Sequence, residues 1–248
     1  MKLKNIVVSG CSFSADALGG LPPTKDYSGG NSFREDPDYT TSVPTTWASF
    51  LAKKINPDSF VNCAAGSHGN YLISKTLIDM LEKFNYSPKN TLVVFNISQM
   101  ARMDVLCDYN TKNFNIPWPQ DILDYSFLKP RSYEWCRVLY DLEESRGEDG
   151  DVEELVKFNT ERLNDLFEYL DNNKYPFVFT TLADYTDLPL VQKYKEHYIQ
   201  LPGNGMFEFA SSLDEISEDK FHPTVEGQYQ ISNVAYDFIC KKYNIEVN

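Results

Sequence analysis

Near the start of the chain stands "NIVVSGCSFSAD", Asn5 to Asp16. Ile6, Val7 and Val8 form a short apolar run without polar alternation, which reads as a strand covered on both faces. The run ends in small residues, Ser9, Gly10 and Cys11, and then presents a serine, Ser12. A serine at the tip of a first strand is compatible with an ordinary strand-to-helix turn and with a nucleophile. The stretch does not separate the two.

The same kind of run recurs along the chain. "SFVNCA" (59–64), "TLVVFNIS" (91–98), "PFVFTTLA" (176–183) and "GMFEFA" (205–210) read as further strands. Helical patterns lie between them. "PTTWASFLAKKI" (44–55) has Pro44 near its start. "NYLISKTLIDMLEKFNY" (70–86) sets Leu72, Thr76, Ile78, Leu81 and Phe84 on or near one face. "DVEELVKFNTERLNDLFEYLDNN" (151–173) carries acid in its first turn and apolar residues at 155, 158, 163, 166, 167 and 170. "VEGQYQISNVAYDFICKKY" (225–243) ends in lysines, as a helix C-terminus prefers. Alternation of strands and helices predicts an α/β fold, a three-layer α/β/α sandwich around a parallel sheet.

The chain has 248 residues, enough for one sizeable α/β domain and short for two. A single domain over 1–248 is expected, with loop insertions at about 19–43 and 103–150. The first is rich in Gly, Pro, Ser and Asp; the second holds Tyr109, Phe114, Trp118, Tyr125, Phe127, Tyr133, Trp135 and Tyr140. Both would follow strand C-terminal ends, where ligands bind in parallel sheets. Most of these aromatics are expected to cover the sheet, with one or two touching a ligand.

Composition narrows the function classes. The net charge of −13 disfavours nucleic acid and anionic membranes as partners. Neither a secretory signal core nor an apolar run of transmembrane length is present, which predicts a cytoplasmic protein, or a virion-associated one if a phage encodes it. The five cysteines are odd in number and scattered, which fits reduced thiols. With three histidines at 68, 197 and 222 they complete no metal-ligand spacing, so no metal or organic cofactor is expected.

"DKFHPTVEG", Asp219 to Gly227, supplies the second half of the argument. Asp219 and His222 stand three apart, before Pro223 and an amphipathic helix. A serine hydroxyl needs a base within hydrogen-bond reach to act as a nucleophile. His222 would take its proton and return it to the leaving group, while Asp219 would fix the imidazole tautomer and stabilise its cation.

A serine after the first strand together with Asp-x-x-His-Pro near the end resembles the SGNH, or GDSL-like, hydrolases. The resemblance covers most of the chain in the right order. The family's first block, Gly-Asp-Ser-Leu-Ser, is matched by Gly10-Cys11-Ser12-Phe13-Ser14, and its last by Asp219 to Pro223. The Gly-Cys-Ser-Phe form, followed by Trp47, Leu51 and Ala52, is similar to a divergent branch common in phage and environmental genomes. "NCAAGSHGN" (62–70) stands where the second block carries an oxyanion glycine, with Gly66 the first choice and Gly69 the next. The third block, normally Gly-x-Asn-Asp, departs: "NISQMARMD" (96–104) lacks that Asn. Ser98 or Gln99 would have to supply its donor, or Asn70 would reach in.

The resemblance implies a flavodoxin-like fold and a serine esterase acting on small or carbohydrate O-acyl esters, O-acetyl groups among them, through an acyl-enzyme. Ser12 N–H, Gly66 N–H and Ser98 would form the oxyanion hole, with Asn70, Gln99 and Arg102 as further substrate or oxyanion contacts. Arg102 also has a bland reading, a structural ion pair with Asp104 or another carboxylate. His68 reads as a loop histidine without a chemical role, His197 as part of a solvated helix face, and Cys11 as a packed small residue pointing away from Ser12. Two alternatives stay open: an acyltransferase using the same three residues, and a catalytically decayed binding or structural module. The oligomeric state is not fixed by the sequence.

Overall fold

The computed structural model describes residues 3–15, 34–35, 44–64, 68–100, 102, 104, 107–108, 113–114, 150–218 and 221–245. The bulk of both insertions at 19–43 and 103–150 lies outside the described residues.

Five strands form one sheet. β1 (Asn5–Ser9) is central, flanked by β3 (Ser59–Asn62) and β4 (Thr91–Ile97), and β7 (Phe177–Thr181) follows β4. These four are parallel, and the two-residue β2 (Arg34–Glu35) pairs antiparallel on the outer edge of β3. A separate two-residue ladder joins β5 (Cys107–Asp108) and β6 (Asn113–Phe114). Among the described residues the helices are α1 (Trp47–Ile55), α2 (Asn70–Lys83), α3 (Gly150–Asn172), α4 (Pro189–Lys193), α5 (Met206–Ser212) and α6 (Val225–Tyr243).

The two-residue period of the strands divides the core into two halves. Ile6 and Val8 of β1 and Leu92 and Val94 of β4 face one helical layer, with Trp47, Leu51, Ile231, Ala235 and Ile239. Val7, Val93, Phe95 and Ile97 face the other, with Ile73, Leu77, Leu163, Phe167 and Leu170. Helices α1 and α6 pack together on the first face, and α2 and α3 on the second. The result is the three-layer α/β/α sandwich expected from the alternation of elements.

Several expectations are corrected by the structure. "GMFEFA" (205–210) forms helix α5, not a strand: Met206, Phe209 and Ala210 are buried at helical spacing. Gly205, in extended backbone at φ −152, starts it, and Phe207 N–H donates to Leu182 O at 3.0 Å, tying the helix to the end of β7. The buried face of α2 is rotated from the expected one. Ile73, Leu77, Met80 and Leu81 are enclosed, Leu72 and Ile78 are half-buried, and Phe84 is exposed. Helix α1 begins at Trp47, because Thr46 caps it in a reciprocal pair with Ser49. His197 lies in a 3₁₀ turn rather than on a solvated helix face, with its ring stacked 3.9 Å above Phe177 and Nδ1 bonded to Phe177 O at 2.9 Å.

Candidate active site

The C-terminal ends of β1 and β4 lie side by side, since Ser9 pairs with Phe95. Beyond Ser9 the chain turns sharply. Ser14 N–H and Ala15 N–H both donate to Cys11 O, at 3.0 and 3.1 Å. Phe13 is fully buried and Ser12 is partly exposed at the outside of this turn.

His222 reaches the turn from the far end of the sequence. Its loop is a narrow return held at both sides. Ile216 bridges Pro223, Ser217 N–H donates to His222 O at 2.8 Å, and Thr224 N–H donates to Glu215 O at 2.9 Å. Thr224 then caps α6 by accepting from Gly227 N–H at 3.1 Å. The return presents His222 Nε2 to Ser12 Oγ at 2.8 Å. The imidazole is flanked by Phe13, with centroids 5.3 Å apart, and by Phe221, edge-on at 5.2 Å. Asp219 and Lys220 lie outside the described residues.

The second and third blocks meet at the start of α2. Asn70, the first residue of that helix, is fully buried and stitched to the segment after β4. Its Oδ1 accepts from Ser98 N–H at 2.8 Å, and its Nδ2 faces Ser98 O at 3.4 Å and Gln99 O at 3.3 Å. The Asn70 amide is thus committed to the backbone of the third block. Ser98 Oγ accepts from Arg102 Nη1 at 3.1 Å, and the same Nη1 donates to His68 O at 3.2 Å. Arg102 Nη2 donates to Gln99 Oε1 at 3.4 Å, and Gln99 is exposed. Gly66 lies outside the described residues.

Asp104 takes the place of an N-cap side chain for α2, whose cap position is Gly69. It accepts from Gly69 N–H at 2.6 Å and from Leu72 N–H at 2.9 Å. Burial raises its pKa to about 6, opposed by those two amides and by the Arg102 charge. His68, just ahead of Gly69, is buried and held neutral: burial, and then the Arg102 charge, lower its pKa to about 4. Neither expected reading of Arg102 describes its contacts in full, since it also braces the backbone of one block against the side chains of another.

One residue at the site escaped sequence reasoning. Asn96, the penultimate residue of β4, is fully buried directly beneath the Ser12 turn. Its Oδ1 accepts from Ser14 Oγ–H at 2.7 Å and from Cys11 N–H at 3.2 Å, and its Nδ2 donates to Cys11 Sγ at 3.2 Å. Trp47 Nε1–H, from α1, donates to Ser14 Oγ at 2.9 Å, and Asn62 Nδ2, at the end of β3, donates to Ser14 O at 2.8 Å. The signal was present in "TLVVFNIS": a lone amide inside an otherwise apolar strand must find partners where it is buried.

Among the described residues no group of three or more His, Cys, Asp or Glu could hold a metal ion. No described helix is long and apolar enough to cross a membrane.

No family model matches the chain, and no curated protein sequence matches it. Solved structures do match in shape. The psychrotrophic esterase EstA from Pseudoalteromonas sp., in a structure inhibited by monoethylphosphonate, superposes with a TM-score of 0.50 at 14% identity, over 97% of this chain and 99% of that one. TesA superposes at 0.52 with 13% identity, over 96% and 99%. LAE5, an alpha/beta hydrolase enzyme from the metagenome of Lake Arreo, superposes at 0.50 with 9% identity, over 100% and 98%. At such identities the likeness is one of fold, and it is the fold that the sequence resemblance implies.

Proposed function

We propose that the protein is a serine esterase of the SGNH type, hydrolysing a small or carbohydrate O-acyl ester through Ser12, His222 and Asp219. The observation that carries this reading is the 2.8 Å contact between His222 Nε2 and Ser12 Oγ, made by residues 210 positions apart. A surface serine and histidine brought together by chance would not need two independent devices, the β1 turn and the return at 215–224, to hold them. Shared fold with a protein named an esterase adds to the reading.

In this mechanism Ser12 Oγ attacks the ester carbonyl as its proton passes to His222 Nε2. The tetrahedral oxyanion is met by backbone N–H groups, those of Ser12 and Gly66 being the ones the family resemblance assigns. His222 then protonates the departing alcohol and, in the second half, activates water against the acyl-enzyme. Asp219, three residues before His222, would hold the imidazole for both transfers. For the third donor, Ser98 keeps its own hydroxyl hydrogen to give, because it is an acceptor towards Arg102. The Asn70 amide is the weaker choice, given its bonds to the third-block backbone.

The test is p-nitrophenyl acetate turnover together with fluorophosphonate labelling, on wild type, Ser12→Ala and His222→Ala. Turnover and labelling should both disappear with Ser12→Ala, and kcat should fall on the order of a thousandfold or more with His222→Ala. Folded wild type that takes no label would end the esterase reading.

A further inference from the structure

We infer that Asn96 is a positioning residue for the Ser12 hydroxyl: it sets the turn that aims Ser12 at His222. The inference rests on the esterase reading and adds a residue that the sequence blocks do not contain.

A serine on a tight turn is useful only if the turn has one conformation. Here the residues on both sides of Ser12 are pinned to one side chain. The amide of Cys11, immediately before Ser12, donates to Asn96 Oδ1, and the hydroxyl of Ser14, two residues after, donates to the same atom. Cys11 Sγ receives the amide's own hydrogen from Nδ2. Asn96 therefore holds the turn by backbone and by side chain at once, from a strand that is itself fully buried. Strand β4 is bonded to β1 on one side and β7 on the other, so the support is as rigid as the sheet allows.

The packing leaves no slack. A Cβ on Gly10 would fall on Asn96 Oδ1 and come within 2.7 Å of Ser14 Oγ. The amide is thus pressed against the backbone of the first block, and a glycine is needed there for close approach. Trp47 and Asn62 close the network from α1 and β3, so with β4 three elements converge on the turn through Asn96 and Ser14. Displacing a reacting atom by about 1 Å costs on the order of a hundredfold in rate, so a residue that fixes the turn acts on kcat without touching substrate.

The experiment compares Asn96→Leu, Asn96→Asp, Ser14→Ala and Leu170→Ala with wild type and Ser12→Ala. Leucine is close in size and removes every bond of the amide. Aspartate keeps the acceptor for Cys11 N–H and Ser14 O–H. Leu170, in α3, is buried in the opposite half of the core with Val93 and Phe95 of β4, so its truncation lowers stability away from the turn. Fluorophosphonate labelling rates, kcat and KM are measured well below each variant's melting temperature. Asn96→Leu should label and turn over on the order of ten to a hundred times more slowly, with KM changed less than about threefold. Asn96→Asp should recover part of the rate, and Leu170→Ala should label at the wild-type rate despite a lower Tm. The inference is overturned if folded Asn96→Leu labels at the wild-type rate, or if Leu170→Ala slows labelling as much. Should Asn96→Leu fail to fold, Ser14→Ala decides, and a wild-type rate there is equally fatal. Loss of label with Ser12→Ala beside a normal Asn96→Leu sinks this inference alone. Absence of label in folded wild type sinks it together with the esterase reading.

Discussion

Replacing Gly10 with alanine tests the packing beneath the turn. The added methyl would overlap Asn96 Oδ1 and lie 2.7 Å from Ser14 Oγ and 2.8 Å from Ser14 Cβ. None of these atoms can swing out into solvent, because Asn96 and Ser14 are fully buried and Ser14 is held by Trp47 and Asn62. Overpacking of this kind costs about 1–3 kcal/mol. Forcing Asn96 aside also strands the Cys11 amide or the Ser14 hydroxyl, at about 1–3 kcal/mol for a buried unsatisfied group. The total is about 2–6 kcal/mol, and at about 2–4 °C per kcal/mol for a chain of this size Tm should fall by about 4–24 °C. Thermal unfolding followed by circular dichroism reads the first effect, and fluorophosphonate labelling below the transition reads the second. The double variant Gly10→Ala, Asn96→Ser makes room for the methyl, so its loss of stability should be smaller than the sum of the two single losses by more than about 0.5 kcal/mol. A Gly10→Ala protein that melts within 2 °C of wild type and labels at the same rate would refute the reasoning, and strict additivity would show that the methyl does not meet Asn96.

Three further outcomes are expected. His68 is held neutral, with a folded-state pKa near 4 against 6.5 when free, so its contribution is present above pH 6.5 and is lost as pH falls towards 4. The gap is worth at most about 3 kcal/mol, and His68→Asn should flatten the wild-type loss of stability over that window in urea titrations at fixed pH; an unchanged pH profile would exclude it. Asp104 has the opposite sign: its pKa is raised to about 6, so its ionised form costs stability above that pH and the cost is relieved on acidification towards 3.8. Its bonds to Gly69 N–H and Leu72 N–H satisfy two amides at the start of α2, so Asp104→Ala should lower stability by about 1 kcal/mol, and a more stable variant would contradict its capping role. Gln228 Oε1 accepts from Trp47 N–H at 2.9 Å, capping α1 from α6, so Gln228→Ala should cost about 1–2 kcal/mol in chemical denaturation, and no change would mean that water replaces the cap.

Where one physical signal dominated, the sequence was readable. β1 and β4 are covered on both faces and announce themselves as unbroken apolar runs. Helix α6 carries its own cap at Thr224 and its lysines at the other end, and both of its bounds were legible. Residues 205–210 were misread because Met206, Phe207 and Phe209 are consistent with either period over so short a span, and the deciding contact, Phe207 N–H to Leu182 O, is not local. Ser12 and His222 could be paired from chain order and motif alone. The partners of Asn70, Arg102 and Asp104 could not, since each bonds to a segment some 28 to 35 residues away whose approach depends on the sheet. The buried face of α2, by contrast, was legible in the sequence, since Ile73, Leu77, Met80 and Leu81 stand at i, i+4, i+7 and i+8.

The 210-residue separation of Ser12 and His222 also sets a clock. A ribosome adding about 5–20 residues per second releases the serine first and the histidine on the order of 10 to 40 s later. During that interval the β1 turn, with Asn96 already synthesised beneath it, can form without the base that would activate its hydroxyl. In the esterase reading the hydroxyl would become reactive only once α6 has docked on α1 and brought His222 to the turn. On that reading a newly made chain would stay inert towards acyl groups until the return at 215–224 is in place, and catalytic competence would report the docking of α6.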